Sequence, residues 1–146
     1  MTGVLLLLFT VVAGSFLPMQ AGVNARLAKF VGGPVRASMV SFAVGAVALF
    51  LVVLLFYRSQ HQHASDAPWW AWIGGLLGAF YVTSTVVVPI RIGAAAFFGI
   101  LVAAQLIASV VLDKYGWIGF PKHDLSAGRL VGVVLLIAGA VLVRVS

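Results

Sequence analysis

Long uncharged stretches alternate with short polar segments along the chain. Four of these stretches lack Asp, Glu, Lys and Arg, and each reaches the roughly 20 helical residues that cross a bilayer core about 30 Å thick. A fifth is shorter, but Arg129 and Arg144 bracket it, and their long stems allow both charges to reach the membrane interfaces. The pattern therefore predicts five transmembrane helices, near residues 3–28, 35–57, 70–90, 92–112 and 128–145.

The composition places this chain among integral membrane proteins. Apolar residues make up 63% of its 146 residues and charged residues 8%, with a mean hydropathy of +1.18. A soluble domain averages about 45–50% apolar and about 25% charged residues, so soluble enzymes and secreted disulfide scaffolds are excluded. The chain has no cysteine, which removes disulfides, thiolate metal sites and thiol catalysis. We expect an all-α transmembrane domain over residues 1–146, with no enzymatic activity, cofactor or metal.

The net charge of +6 does not indicate nucleic-acid binding. The nine Lys and Arg residues are scattered, with no basic stripe to neutralise successive phosphates. Basic residues at the ends of membrane spans contact lipid head groups and set orientation. The lipid bilayer is therefore the expected partner of these charges.

Two connections carry turn and cap signals. Pro89 and Gly93 permit a tight reversal between the third and fourth helices. Ser126 is a candidate N-cap for the fifth helix, because a serine hydroxyl accepts a hydrogen bond from a free N–H group of the first turn.

Few polar side chains lie within the spans, and an amide facing lipid is costly. Gln20 and Asn24 are four residues apart in the first span and so share one helix face, as do Gln105 and Ser109 in the fourth. Either pair can bind a polar solute or form hydrogen bonds between helices. The hydroxyls of residues 83–85 are expected to bond to their own helix.

Acidic residues are absent from the middle of every span. A central carboxylate is the simplest device for exchanging protons against a cationic drug, and this chain has none. Asp113 stands at the end of the fourth span, where we expect a structural ion pair with Lys114, Arg129 or a neighbouring helix.

Glycines mark candidate packing faces, because they allow two helices to approach closely. They are also candidates for a dimer seam. The glycines selected for this role are Gly74, Gly78, Gly128 and Gly132.

An odd number of spans places the termini on opposite sides of the membrane. The connections on one side then carry four Lys and Arg residues, including Arg58, and those on the other carry five. So small a difference favours insertion in both orientations and antiparallel pairing of two copies. The alternative is a single orientation set by the early cluster of Arg26, Lys29 and Arg36.

Several dispersed segments, spread over essentially the whole chain, together resemble the YdcZ-like, five-helix branch of the drug/metabolite transporter superfamily. The segments are QAGVNARLA at 20–28, SFAVGAVAL at 41–49, PWWAWIGGLLGAFYV at 68–82, RIGAAAFFGILVAAQLIASVVLDKYG at 91–116 and GRLVGVVLLIAGAVLV at 128–143.

This resemblance implies a bacterial, multi-pass inner-membrane exporter. It also implies that the chain is half of a ten-helix unit, since longer relatives consist of two inverted five-helix halves. Asp113 falls where those relatives commonly have an acid. The chain differs from the small multidrug resistance proteins, which have four spans and a first-helix glutamate, so exchange of cationic drugs for protons is not implied.

The sequence thus predicts a transporter subunit that acts as a homodimer, preferably antiparallel. A small solute would lie near the membrane midplane between Gln20 and Asn24 on one side and Gln105 and Ser109 on the other. One alternative is a dimeric channel lined by Asn24 and Thr83. The other is an accessory subunit in which Gln20 and Asn24 are dispensable. Two aromatic residues would wall the site, namely Phe16 and Tyr81.

Overall fold

The structure, a computed structural model, describes residues 2–57 and 66–145. Arg58, one of the charges counted above, lies outside the described residues. Five helices in the described part are long and apolar enough to cross a membrane, which confirms the predicted spans to within three residues at each end. These candidate spans are Gly3–Val31, Pro34–Phe56, Trp69–Ile92, Ala94–Tyr115 and Ala127–Val145.

The chain divides into two compact units, Met1–Val87 and Val88–Ser146. The first unit contains helices α1 (Thr2–Val31), α2 (Pro34–Phe56) and α3 (Gly74–Val87), with a 3₁₀ helix at Trp69–Ile73 before α3. The second contains the short α4 (Pro89–Ile92), α5 (Ala94–Tyr115) and α6 (Ala127–Val145), with a 3₁₀ helix at Trp117–Gly119 between α5 and α6. The single transmembrane domain over residues 1–146 stays a prediction.

A two-glycine turn joins α1 to α2. Gly32 has a φ of 83° and Gly33 a φ of 130°, values that residues with a Cβ atom rarely adopt. The Gly33 N–H donates to the Ala28 carbonyl at 2.8 Å, which satisfies one of the free carbonyls at the end of α1. Pro34 then begins α2, where its missing N–H costs no helical hydrogen bond.

The buried residues of the first unit lie where all three of its helices meet, toward the α1–α2 turn. Residues 3–20 of α1 and 42–56 of α2 are exposed on the surface of the single chain. The buried set consists of Ala21, Asn24, Ala37, Ser38, Val82, Thr85 and Val86.

In the second unit, α5 and α6 pack closely along their length. A Cβ at Gly99 would lie in ordinary van der Waals contact with Ala140, 3.5 Å from both its Cα and its Cβ, so the two helices are close neighbours here. Gly93, with a φ of 87°, ends α4 and precedes α5. The reversal between the third and fourth membrane helices stays a prediction.

The segment between α5 and α6 is held by hydrogen bonds at both ends. Gly116 ends α5 in the left-handed conformation, and the His123 N–H donates to the Asp113 carbonyl at 2.8 Å. The Arg129 N–H donates to Ser126 Oγ at 3.2 Å, which confirms the predicted N-cap. Within this segment Ile118 has a φ of 57°, an unfavourable conformation for a β-branched residue.

Candidate functional site

Asn24 has an unsatisfied amide in the core of the first unit. Its side chain is 3% exposed, and its Nδ2 atom has no hydrogen-bond partner among the described residues. A buried donor without a partner costs about 1–3 kcal/mol, so native proteins rarely keep one. This atom is the strongest sign of a binding site in the unit.

Two contacts set the register that places Asn24. Gln20 Nε2 donates to Ser41 Oγ at 3.3 Å, which aligns α1 with α2. A Cβ at Gly78 would lie 3.3 Å from Phe42 Cζ, which aligns α2 with α3. Counted from these contacts in antiparallel helices, Asn24 falls near the level of the buried residues at the start of α2 and the end of α3.

The hydroxyl groups near Asn24 already donate hydrogen bonds within their own helices. Ser38 Oγ donates to the Pro34 carbonyl at 3.0 Å, and Thr85 Oγ1 donates to the Val82 carbonyl at 2.8 Å. Ser84 Oγ likewise donates to the Tyr81 carbonyl, so the expectation that hydroxyls in this run bond to their own helix is confirmed for residues 84 and 85.

Gln20 occupies a different environment, although it is only one helical turn, or about 6 Å, from Asn24. It is exposed, and it lines an open cavity of about 300 Å³ between α1 and α2. Gln20 and Asn24 therefore differ in burial within the single chain, and their joint binding of a solute stays a prediction. The other residues that line the cavity are Ser41, Phe42, Gly45, Ala46 and Leu49.

The two predicted aromatic walls differ in exposure. Phe16, one turn before Gln20 on α1, is 60% exposed, whereas Tyr81 on α3 is half-buried. That they flank a solute stays a prediction.

Gln105 and Ser109 lie on the exposed surface of α5, in the second unit. Ser109 Oγ donates to the Gln105 carbonyl at 2.8 Å, so the hydroxyl hydrogen is used within the helix and its oxygen can still accept. Their juxtaposition with Gln20 and Asn24 stays a prediction.

Asp113 has a defined partner. Its Oδ2 lies 3.2 Å from Nη1 of Arg129, in an ion pair that joins the end of α5 to the start of α6. The alternative partner Lys114 instead places its Nζ 5.4 Å from the centroid of the Tyr115 ring. Across residues 2–57 and 66–145, no group of three or more His, Cys, Asp or Glu side chains could hold a metal ion.

The four glycines selected from the sequence differ in their surroundings. Gly78 faces the Phe42 ring, whereas a Cβ added at Gly74 or Gly132 would meet no atom of the described chain within 4 Å. A Cβ at Gly128 would meet only Ser126 Oγ, at 3.9 Å. The role of these open glycines in packing against another molecule stays a prediction.

Five apolar helices with polar side chains near their junctions define an α-helical, multi-pass membrane protein. Residues 5–142 match the family described as "Putative inner membrane exporter, YdcZ", and the chain belongs to this family. The resemblance inferred from the dispersed segments is thereby confirmed.

A curated relative supports the same assignment. The inner membrane protein YdcZ of Escherichia coli (strain K12) is 34% identical over 142 residues, which cover 95% of this chain and 94% of that protein. No solved structure matches the chain. Family membership and the five spans together identify a multi-pass inner membrane protein.

Proposed function

We propose that this chain is a subunit of a secondary transporter that exports a small organic solute across the inner membrane by alternating access. The exporter description of its family supports export, and the unpartnered Nδ2 of Asn24 supports a solute site in the first unit. A bound solute would supply the acceptor that this donor lacks. No covalent chemistry is involved.

The cavity beside Gln20 provides an entry to this site. It is open at the surface, while Asn24, one turn further along α1, is closed off. A solute that enters beside Gln20 and Ser41 therefore reaches Asn24 only when α1, α2 and α3 move apart. Such movement around a fixed site is the basis of alternating access.

A homodimer would complete the membrane-facing surface. Gln20 lies three residues from Leu17, the middle of the Gly3–Val31 span, or about 4.5 Å along the helix axis. An exposed amide at this depth is costly in hydrocarbon. A second copy packed against the α1–α2 surface would remove the amide from lipid, and antiparallel pairing would form the inverted repeat that many transporters carry in one chain.

A metabolite screen followed by counterflow tests the transport proposal. Compounds that raise the melting temperature of the purified protein are assayed for counterflow in proteoliposomes, with Asn24→Leu as the test variant. Thr10→Val is the matched control, because Thr10 Oγ1 is exposed on α1 and donates only to the Leu6 carbonyl of its own helix. We expect saturable counterflow that is lost in Asn24→Leu and kept in Thr10→Val.

The two alternatives predict different results. A channel would give flux that does not saturate and shows no counterflow. An accessory subunit would give no flux for any compound that binds. Either result would overturn the transporter proposal.

A further inference from the structure

We propose that the solute carries an oxyanion, a carboxylate or a phosphate, and that Asn24 Nδ2 donates a hydrogen bond to it. This inference rests on the proposed transport function and specifies the chemical class of its substrate.

The hydrogen bond that Asn24 lacks has a direction. The unsatisfied atom of Asn24 is a nitrogen that carries hydrogen, so it needs an acceptor. An ammonium group has hydrogens and no acceptor, and it would leave this donor unsatisfied. An oxyanion accepts more strongly than a neutral carbonyl, because hydrogen bonds to charged groups are roughly twice as strong as neutral ones.

Acidic residues are absent from the three helices around Asn24. The whole chain has three, at Asp66, Asp113 and Asp124, and none of them lies in α1, α2 or α3. Asp113 is already paired with Arg129. A cation bound beside Asn24 would therefore have no counter-charge in the helices around it, and a buried charge without a partner is strongly disfavoured.

The end of the first unit that contains Asn24 also has a positive potential. Arg26, Lys29 and Arg36 are all exposed around the α1–α2 turn, and none forms a salt bridge with another described residue. Arg26 and Lys29 lie on the far side of α1 from Asn24, so they attract an anion through their field and not by contact.

The helix termini at this turn leave the potential positive. No side chain caps the amino end of α2, so that its first N–H groups add a partial positive charge. The carboxyl end of α1 lies at the same turn, but its partial charge of about half a unit is smaller than that of three cations. An oxyanion that approaches Asn24 is thus attracted, whereas a cation is repelled.

Three probes that share a benzene ring test this proposal. Benzoate, benzamide and benzylammonium are added at equal concentration and ionic strength to the purified protein in phosphatidylcholine nanodiscs, and the melting temperature is measured, with phenyl phosphate as the phosphate counterpart of benzoate. We expect benzoate or phenyl phosphate to raise the melting temperature, with affinity at least about tenfold above that of benzylammonium, which corresponds to about 1.4 kcal/mol.

Variants test whether the rise in melting temperature depends on Asn24 and on the positive charges at the α1–α2 turn. Asn24→Leu should abolish it, whereas the double variant Arg26→Gln/Lys29→Gln should weaken the affinity several-fold, more at low salt than at high salt. Lys122→Gln is the control, because it removes an exposed cation from the second unit. Equal loss in Lys122→Gln would show a general charge effect and overturn the proposal.

The remaining outcomes separate this inference from the transport proposal. Benzylammonium that binds as tightly as benzoate, or a failure of all four probes to bind, overturns the oxyanion class. Counterflow of a neutral or cationic solute that depends on Asn24 also overturns that class and leaves the transporter standing. Anion binding without any flux would overturn the transporter and leave the oxyanion class standing. If phosphatidylglycerol in the nanodiscs abolishes the benzoate response, the bound anion is a lipid head group. That result would overturn the proposal that the site binds a solute.

Discussion

The carboxylate of Asp113 and the guanidinium of Arg129 join the end of α5 to the start of α6, with 3.2 Å between Oδ2 and Nη1. Arg129 also donates its backbone N–H to Ser126 Oγ at the start of α6. One residue thus takes part in both the helix cap and the ion pair. The connection between α5 and α6 is thereby fixed at the point where α6 begins.

Breaking this ion pair should destabilise the protein only slightly. The side chains are 37% and 26% exposed for Arg129 and Asp113, and pairs this accessible contribute about 0.2–1 kcal/mol. We expect Asp113→Asn to lower the free energy of unfolding by an amount in that range. The double variant Asp113→Arg/Arg129→Asp should recover part of the loss in a double-mutant cycle.

Asp124→Asn is the control for this cycle. Asp124 lies in the same connection and forms no salt bridge with another described residue. A loss of stability in Asp124→Asn as large as in Asp113→Asn would show that net charge, and not the pair, is responsible.

Replacing Asn24 should separate binding from folding. We expect Asn24→Leu to raise the free energy of unfolding of the empty protein by about 1 kcal/mol, because it removes a buried donor with no partner. Asn24→Ala should leave it nearly unchanged, and both variants should lose solute-induced stabilisation. Thermal melting with and without solute measures both effects.

Gln20→Ala provides the comparison for Asn24. Gln20 has a hydrogen-bond partner in Ser41, and a hydrogen bond between membrane helices contributes about 0.6 kcal/mol on average. We expect a small loss of stability together with weakened transport. If Asn24→Leu and Asn24→Ala both destabilise the empty protein and leave its solute response intact, then Asn24 holds helices together and binds nothing.

Two glycines on α3 should respond differently to the same substitution. A Cβ at Gly78 would already lie 3.3 Å from Phe42 Cζ, so Gly78→Leu must displace the Phe42 ring or separate α2 from α3, and it should cost about 1–3 kcal/mol. Gly74→Leu is the matched control, because a Cβ there meets no described atom within 4 Å. Melting in detergent compares the two, and equal losses would contradict the contact with Phe42.

Relief of backbone strain at Ile118 should stabilise the segment between α5 and α6. Its φ of 57° costs a β-branched residue roughly 1–2 kcal/mol, whereas glycine adopts it readily. Ile118→Gly should raise the melting temperature, and Ile118→Val, which keeps the strain, should not. If Ile118→Gly instead lowers the melting temperature, the exposed side chain contributes more to stability than the backbone strain costs.

Labelling of single cysteines tests dual topology, since the natural chain has no cysteine. Cysteines at Ser59 and Ser146, which lie outside the described residues, fall on opposite sides of the membrane in a five-span chain. We expect each to react partly from both sides, because the Lys and Arg counts are nearly equal. Reaction from one side only would reject dual insertion. Two lysines added between residues 58 and 68 should shift the insertion toward one orientation.

The amino-acid sequence by itself determined the features that depend on a single helix. The five spans follow from the length of the uncharged stretches, because each residue advances a helix by 1.5 Å and the bilayer has a fixed thickness. The Ser126 cap and the intrahelical hydrogen bonds of Ser84 and Thr85 are equally local, since donor and acceptor lie within a few residues.

Only the tertiary structure decided the features that depend on two helices. Gln20 and Asn24 share a helix face, yet one lines an open cavity and the other is buried, because α2 and α3 enclose only the end of α1 that contains Asn24. The packing also decided that Asp113 pairs with Arg129 and not with Lys114. It likewise decided that Gly78, and not Gly74, lies against Phe42. The physical reason is the solvent: lipid and protein core are both apolar, so the hydrophobic pattern of a membrane helix does not show which face turns inward.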